Sequence, residues 1–119
     1  MVKIVVGGQM DKQMLADILK KIGGDKVTVE IKSDIEAALA VKSGQADYYF
    51  GACATGAGGA LAMAIGLIGM NECVSVSIPG KIMSNAEMID AVAKGKKAFG
   101  FTNNDAEKVI PVLLGEILK

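Results

Sequence analysis

The sequence contains no histidine, no arginine and no tryptophan, and only three phenylalanines and two tyrosines. Each absence removes a class of chemistry. Without histidine there is no imidazole base and no histidine-containing metal site, and neither metal nor cofactor is expected. Without arginine there is no bidentate fork for phosphate or carboxylate, so a bound anion must be held by backbone N–H groups, hydroxyls or a lysine. So few rings make no base-stacking platform for a nucleic acid. An excess of one charge is missing too: 13 lysines balance 13 acidic residues, which leaves no basic field for nucleic acid or a membrane surface. Two cysteines, Cys53 and Cys73, are too few for a secreted disulfide framework. No charged segment followed by an apolar stretch opens the chain, and the cytoplasm is the expected compartment.

What is present is apolar. Hydrophobic residues make up 51% of the 119, enough for one core but not for two, so residues 1–119 read as a single α/β domain. Between residues 48 and 70 there is no charge. That is long enough to cross a bilayer, but six glycines, Gly51, Gly56, Gly58, Gly59, Gly66 and Gly69, would cost such a helix dearly. The stretch divides instead into a strand, a tight turn and a buried helix, and no membrane insertion is expected.

Residues 3–6, ending at Gly7-Gly8, read as a first buried strand. Asp11 caps a helix whose apolar positions Met14, Leu15, Ile18, Leu19 and Ile22 recur at helical spacing, and Gly23-Gly24 stops it. Residues 27–31 alternate as a second strand. Ser33 with Glu36 and Ser84 with Glu87 are capping boxes, and Gly44 and Gly95 end the helices that these open. Residues 47–53, 73–78 and 98–102 supply strands three to five. Residues 59–68 form an all-round apolar helix. Asn104 with Glu107 opens a last helix, which Pro111 kinks or restarts. Five βα units in alternation predict a three-layer α/β sandwich: a five-stranded, mainly parallel sheet in the flavodoxin/Rossmann-like order 2-1-3-4-5. Because the helix over 60–68 lacks a polar face, burial on all sides is expected, and with it a homo-oligomer, most simply a dimer. Cys53 and Cys73 fall at opposite ends of the sheet, roughly 20 Å apart and beyond disulfide reach.

The segment most able to carry chemistry is the turn Cys53-Ala54-Thr55-Gly56-Ala57-Gly58-Gly59, at the carboxyl end of the third strand. Its glycines permit close backbone approach to a ligand. The N–H groups of Gly58, Gly59 and Ala60 stand at a helix start, where the dipole favours an anion and lowers the pKa of a neighbouring thiol. A thiol and a hydroxyl, Cys53 and Thr55, flank the turn. The loop Gly7-Gly8-Gln9 faces it across the expected reversal of strand order, where ligands favour the crevice. Lys81, beside Pro79-Gly80, is the best-placed cation. The competing structural reading is close packing of the apolar helix on the sheet.

Two resemblances attach to these residues. Residues 3–9, 46–67 (with DYYFGACATGAGGALAMA) and 95–101 (GKKAFGF) resemble a family of small bacterial proteins of unknown function. Its members are encoded beside a multispanning membrane protein, a PLP-dependent enzyme and a phosphotriesterase-like hydrolase. That resemblance implies a cytoplasmic accessory to the handling of a small metabolite. Over residues 37–64, SGQAD followed by Cys53-Ala54-Thr55-Gly56-Ala57-Gly58 resembles the B type of ribose-5-phosphate isomerase and its galactose-6-phosphate relatives. It implies Cys53 as the base that moves a proton between two carbons, Thr55 assisting at the sugar oxygens, and the backbone of Gly56, Ala57 and Gly58 stabilising the enediolate. Where that family carries Asp-His after its first strand, this chain has Gln9-Met10; where it carries Asn-Lys on the helix, this chain has Ala64-Ile65. The resemblance thus transfers the site more readily than the reaction.

Three functions fit. The first is binding of a small anionic metabolite, phosphorylated or carboxylated, by Gly7, Gly8, Gln9, Gly56, Ala57, Gly58, Gly59 and Lys81. The second is isomerase-like catalysis by Cys53 and Thr55. The third is a non-catalytic assembly module that docks through its apolar helix.

Overall fold

The computed structural model describes residues 1–54 and 58–119, with Gly58 and Gly59 placed only as the opening of a helix. In chain order the elements are β1 (Val2–Gly8), α1 (Lys12–Gly23), β2 (Val27–Ile31), α2 (Asp34–Lys42), β3 (Tyr48–Cys53), α3 (Gly58–Ile68), β4 (Cys73–Ser75), β5 (Ser77–Ile78), β6 (Lys81–Ile82), α4 (Asn85–Ala93), β7 (Ala98–Thr102) and α5 (Ala106–Ile117). β1, β2, β3, β4 and β7 form one parallel sheet, and β5 with β6 forms a small antiparallel hairpin. The fold is the expected three-layer α/β sandwich.

The order of the sheet is β2-β1-β3-β7-β4, so the last two strands exchange the places that the order 2-1-3-4-5 gave them. Burial explains the exchange. All five residues of β7 are buried, as a central strand requires, whereas β4 has three residues and only Cys73 among them is buried. Nor does the fourth strand reach residue 78. Val76 still donates its N–H to the Gly100 carbonyl at 2.7 Å, and the chain then turns away into the hairpin. Its tip is Pro79-Gly80, with Gly80 at φ +79°, the conformation that a type II turn needs after proline.

Right-handed crossovers assign the helices to faces. Steps toward β2, or back from β4 to β7, put α1 and α4 on one face, where α5 packs against both. Steps in the other direction put α2 and α3, packed together, on the opposite face. The first layer encloses Ile4, Val6, Phe50, Phe99 and Phe101 with Leu15, Leu19 and Leu113. The second encloses Val5, Tyr49 and Ala98 with Ala37, Ala40, Leu61 and Ala64. Two residues beyond Val5, Tyr49 and Ala98, on the same side of the pleat, stand Gly7, Gly51 and Gly100, in register with one another and with Ser75. The carboxyl end of the second face is therefore nearly bare backbone.

Three local expectations change. Asp11 stands at the N-cap of α1 without a capping bond, at φ 53°. Asn103–Asp105 forms a 3-10 turn, and α5 starts after it with no side-chain cap. α5 also runs through Pro111 as one element. The Ser84–Glu87 capping box is complete. In a single chain α3 is not buried on all sides: Ala62, Met63 and Gly66 face outward. Among the described residues, no helix is long and apolar enough to cross a membrane.

Candidate functional site

β3 ends at Cys53 and α3 begins at Gly58. Thr55, Gly56 and Ala57 lie outside the described residues, but their surroundings are described. β3 is flanked by β1 and β7, and the chain leaving each of those strands goes to the face opposite α3. A ligand crevice forms where neighbouring connections part in this way. Here they part on both sides of β3.

The chain leaving β1 folds onto the end of β3. The Ala52 carbonyl accepts the N–H groups of Gln9 at 3.0 Å and Met10 at 3.2 Å. Asn103, in the turn after β7, donates from Nδ2 to Asp11 Oδ2 at 2.8 Å, so the loops on either side of β3 are joined. Asp11 is the one non-glycine residue with positive φ among those described.

Gly7 and Gly8 each meet a steric demand. A Cβ on Gly7 would lie 2.5 Å from the Tyr49 ring. Gly8 has φ +79°, and a Cβ there would lie 2.7 Å from the Ala52 nitrogen. The Gly8 N–H donates to the Tyr49 hydroxyl at 2.9 Å. That hydroxyl donates to the Ala60 carbonyl in the first turn of α3 at 2.8 Å, with Asp34 Oδ1 3.3 Å away as a further acceptor. One buried phenol thus ties the end of β1 and the starts of α2 and α3 together. Burial, then the nearby Asp34 carboxylate, hold the Tyr49 pKa well above the usual phenol value. The N–H groups of Gly8, Gln9 and Met10 are all engaged within the chain, while the Gln9 side chain is exposed.

Cys53 is buried and not in a disulfide. It lies in register with Thr102. The Thr102 hydroxyl donates to Asp105 Oδ2 at 2.6 Å, and its N–H donates to Ser77 Oγ at 3.0 Å, which pins the hairpin over the end of β7. Cys73, buried at the other end of the sheet, lies in register with Ala98 and is separated from Cys53 by β7. Lys81 opens the second strand of the small hairpin. It lines a cavity of about 330 Å³ with Ser75, Ser77, Met83 and Glu87, and its charge adds to the Ser84 hydrogen bonds that hold the Glu87 carboxyl below its usual range. Among the described residues, no group of three or more acidic or cysteine side chains is placed to hold a metal ion.

Residues 2–117 match the family described as "Protein of unknown function DUF2620". The chain belongs to this family. It is 38% identical over 117 residues to the protein named "Uncharacterized protein YhfU" of Escherichia coli (strain K12), covering 98% of this chain and 99% of that one. The protein of the same name from Shigella flexneri gives the same figures. No solved structure matches. The DUF2620 match spans both helical layers and the turn alike, in keeping with the expected family of small bacterial proteins of unknown function.

Sequence reasoning missed two parts of this DUF2620 site. Tyr49 sits inside the uncharged run YYFGA, and a tyrosine there signals a buried hydroxyl that needs a partner. The pair Thr102 and Asp105, three residues apart across a strand end, is a local side-chain turn in the same sense.

Proposed function

We propose that the protein binds a small anionic metabolite, phosphorylated or carboxylated, at the turn from Cys53 to Gly59, with the backbone of Gly56, Ala57, Gly58 and Gly59 as the cradle. One observation carries this reading. α3 starts at the carboxyl end of β3, between two strands whose connections leave to the other face, and its first turn holds no acidic residue. The opening N–H groups of a helix have no intrahelical partner, and the dipole there favours negative charge. Gly7 and Gly8 contribute by letting β1 close on β3, and Gln9 by its exposed side chain. Asp11 and Asp105 add acceptors at the neighbouring loops. The ligand that suits them carries hydroxyls or an amine besides its anionic group. Lys81 acts as a peripheral charge. The protein works in the cytoplasm and as a homo-oligomer, since α3 turns an uncharged face outward.

The test is a thermal-shift screen of sugar phosphates and small carboxylates on the parent and on Gly58→Val. A ligand at a hundred times its dissociation constant should stabilise the parent by about 2.7 kcal/mol. The variant, folded by circular dichroism, should lose that gain, because a side chain blocks backbone approach. A folded variant that binds every ligand the parent binds overturns the proposal. Cys53→Ser separates binding from isomerase chemistry by Cys53 and Thr55: affinity should hardly change in a binding protein, whereas turnover should collapse in an enzyme that needs a thiolate base.

A further inference from the structure

The α2/α3 layer is unfinished on its outer side. On α3, Ala62, Met63 and Gly66 face solvent, and Met70 just beyond it is 71% exposed. On α2, Ile35 is 51% and Leu39 45% exposed. The opposite layer exposes fewer and less open apolar side chains, Ile22 at 40% and Ile89 at 38%, on helices that also present exposed Gln13, Asp17, Lys20, Asp90 and Lys94. Contiguous apolar surface rimmed by polar residues marks an interaction site.

We infer that a second copy of this chain covers this face, about a two-fold axis normal to α2 at Leu39. The inference rests on the homo-oligomer reading above and assigns its surface. The exposed residues of α2 and its C-cap are Ile35, Glu36, Leu39, Lys42 and Ser43. With a rise of about 1.5 Å and a turn of about 100° per residue, Glu36 lies ~4.5 Å below Leu39 and ~60° to one side. Lys42 lies the same distance above Leu39 and the same angle to the other side. A two-fold rotation exchanges those two positions. In an antiparallel α2 pair, Glu36 therefore meets Lys42 of the partner subunit, and Lys42 meets the partner's Glu36, with the two Leu39 side chains between them. Ile35 falls opposite the partner's Ser43 in the same way. Opposite charges placed symmetrically about an apolar centre make the face complementary to itself, which selects a copy of this chain over an unrelated protein. The uncharged outer face of α3, packed beside α2, extends the apolar surface.

The experiment measures mass by light scattering and sedimentation at micromolar concentration for the full chain, E36K, K42E and E36K/K42E. Each single reversal turns both ion pairs into like-charge pairs and should raise the dimer dissociation constant at least about tenfold. The double reversal restores both pairs and should recover the dimer. Leu39→Cys should cross-link across the axis on oxidation, the native thiols being buried, and this serves where the double reversal lowers helix content. A monomeric parent overturns the homo-oligomer reading and this interface together. A dimer that neither single reversal weakens, a folded double reversal that stays monomeric, or a Leu39→Cys dimer that does not cross-link overturns the interface alone.

Discussion

The two faces of this sheet are built from opposite materials. On the α1/α4/α5 side, three phenylalanine rings interlock, Phe50 with Phe99 at a centroid separation of 5.4 Å and with Phe101 at 6.4 Å, under leucines from the helices. That layer gains stability from area, at about 25 cal/mol per Å² of apolar surface removed from water. On the α2/α3 side the sheet offers glycine and alanine beside Val5 and Tyr49 to alanine-rich helices, and the gain is closeness. A Cβ on Gly51 would lie 3.0 Å from the Ala60 carbonyl oxygen, so α3 rests against the backbone of β3. Small residues bury little area, and a hydrogen-bonded phenol, Tyr49, does part of the holding there. The layer that stabilises the molecule and the layer that carries the candidate site are thus different, and the interface inferred above belongs to the second.

The sharpest way to break this comparison is to empty the first layer and overfill the second. Phe99→Ala should destabilise the protein by about 3–5 kcal/mol, the cost of a buried ring and its cavity, read from denaturant midpoints at unchanged slope. Ala64→Leu should cost about 1–3 kcal/mol by overpacking. If Ala64→Leu proves as costly as Phe99→Ala, the layers do not differ in the way proposed.

Next in size is Tyr49→Phe. It keeps the ring against Gly7 and Gly51 but leaves the Gly8 N–H and the Ala60 carbonyl without their phenol, an expected loss of about 1–3 kcal/mol. The same hydroxyl sets an alkaline limit. Its folded pKa is raised by burial and by Asp34, so the folded state holds the proton more tightly than the unfolded one. The resulting stabilisation is complete below the ordinary tyrosine value of about 10 and is lost progressively as pH rises from there through the raised folded value. Tyrosinate absorbance and circular dichroism should therefore change together in the parent on alkaline titration, and Tyr49→Phe should abolish the part of the pH dependence that this group contributes.

How much of this was legible follows from the range of each interaction. Helical spacing and caps are local, so the α/β class, the five units and the Ser84–Glu87 box could be read directly. Which strands become neighbours is not local, and alternation of strands and helices leaves the last two places open. A finer signal was present: Ala98-Phe99-Gly100-Phe101 is apolar throughout, while Cys73-Val74-Ser75-Val76-Ser77 alternates as an edge strand does. The turn at the end of β3 was legible as a strand-to-helix junction. Its supports were not, because Tyr49 finds its partners 41, 11 and 15 residues away. Gly7 and Gly8 read as ligand glycines, yet the demands on them come from the Tyr49 ring and the β3 backbone, which no spacing rule reveals.

The smallest expected effect lies on the outer surface of the first layer, and it sharpens the contrast with α2. Lys94 pairs with Asp90 one turn back on α4 at 2.8 Å, both side chains well exposed. That hydrogen bond and the Asp90 charge raise the Lys94 pKa, so the small stabilisation is present below the ordinary lysine value of about 10.4 and fades above it. Exposed pairs of this kind are screened by water and salt. Lys94→Ala should leave the melting temperature within error and the sedimentation coefficient unchanged, whereas reversing Glu36 or Lys42, also exposed in the single chain, should change the assembly. If Lys94→Ala alters the oligomeric state as much as E36K does, the outer charges of the two layers are equivalent, and the distinction between a finished and an unfinished face is lost.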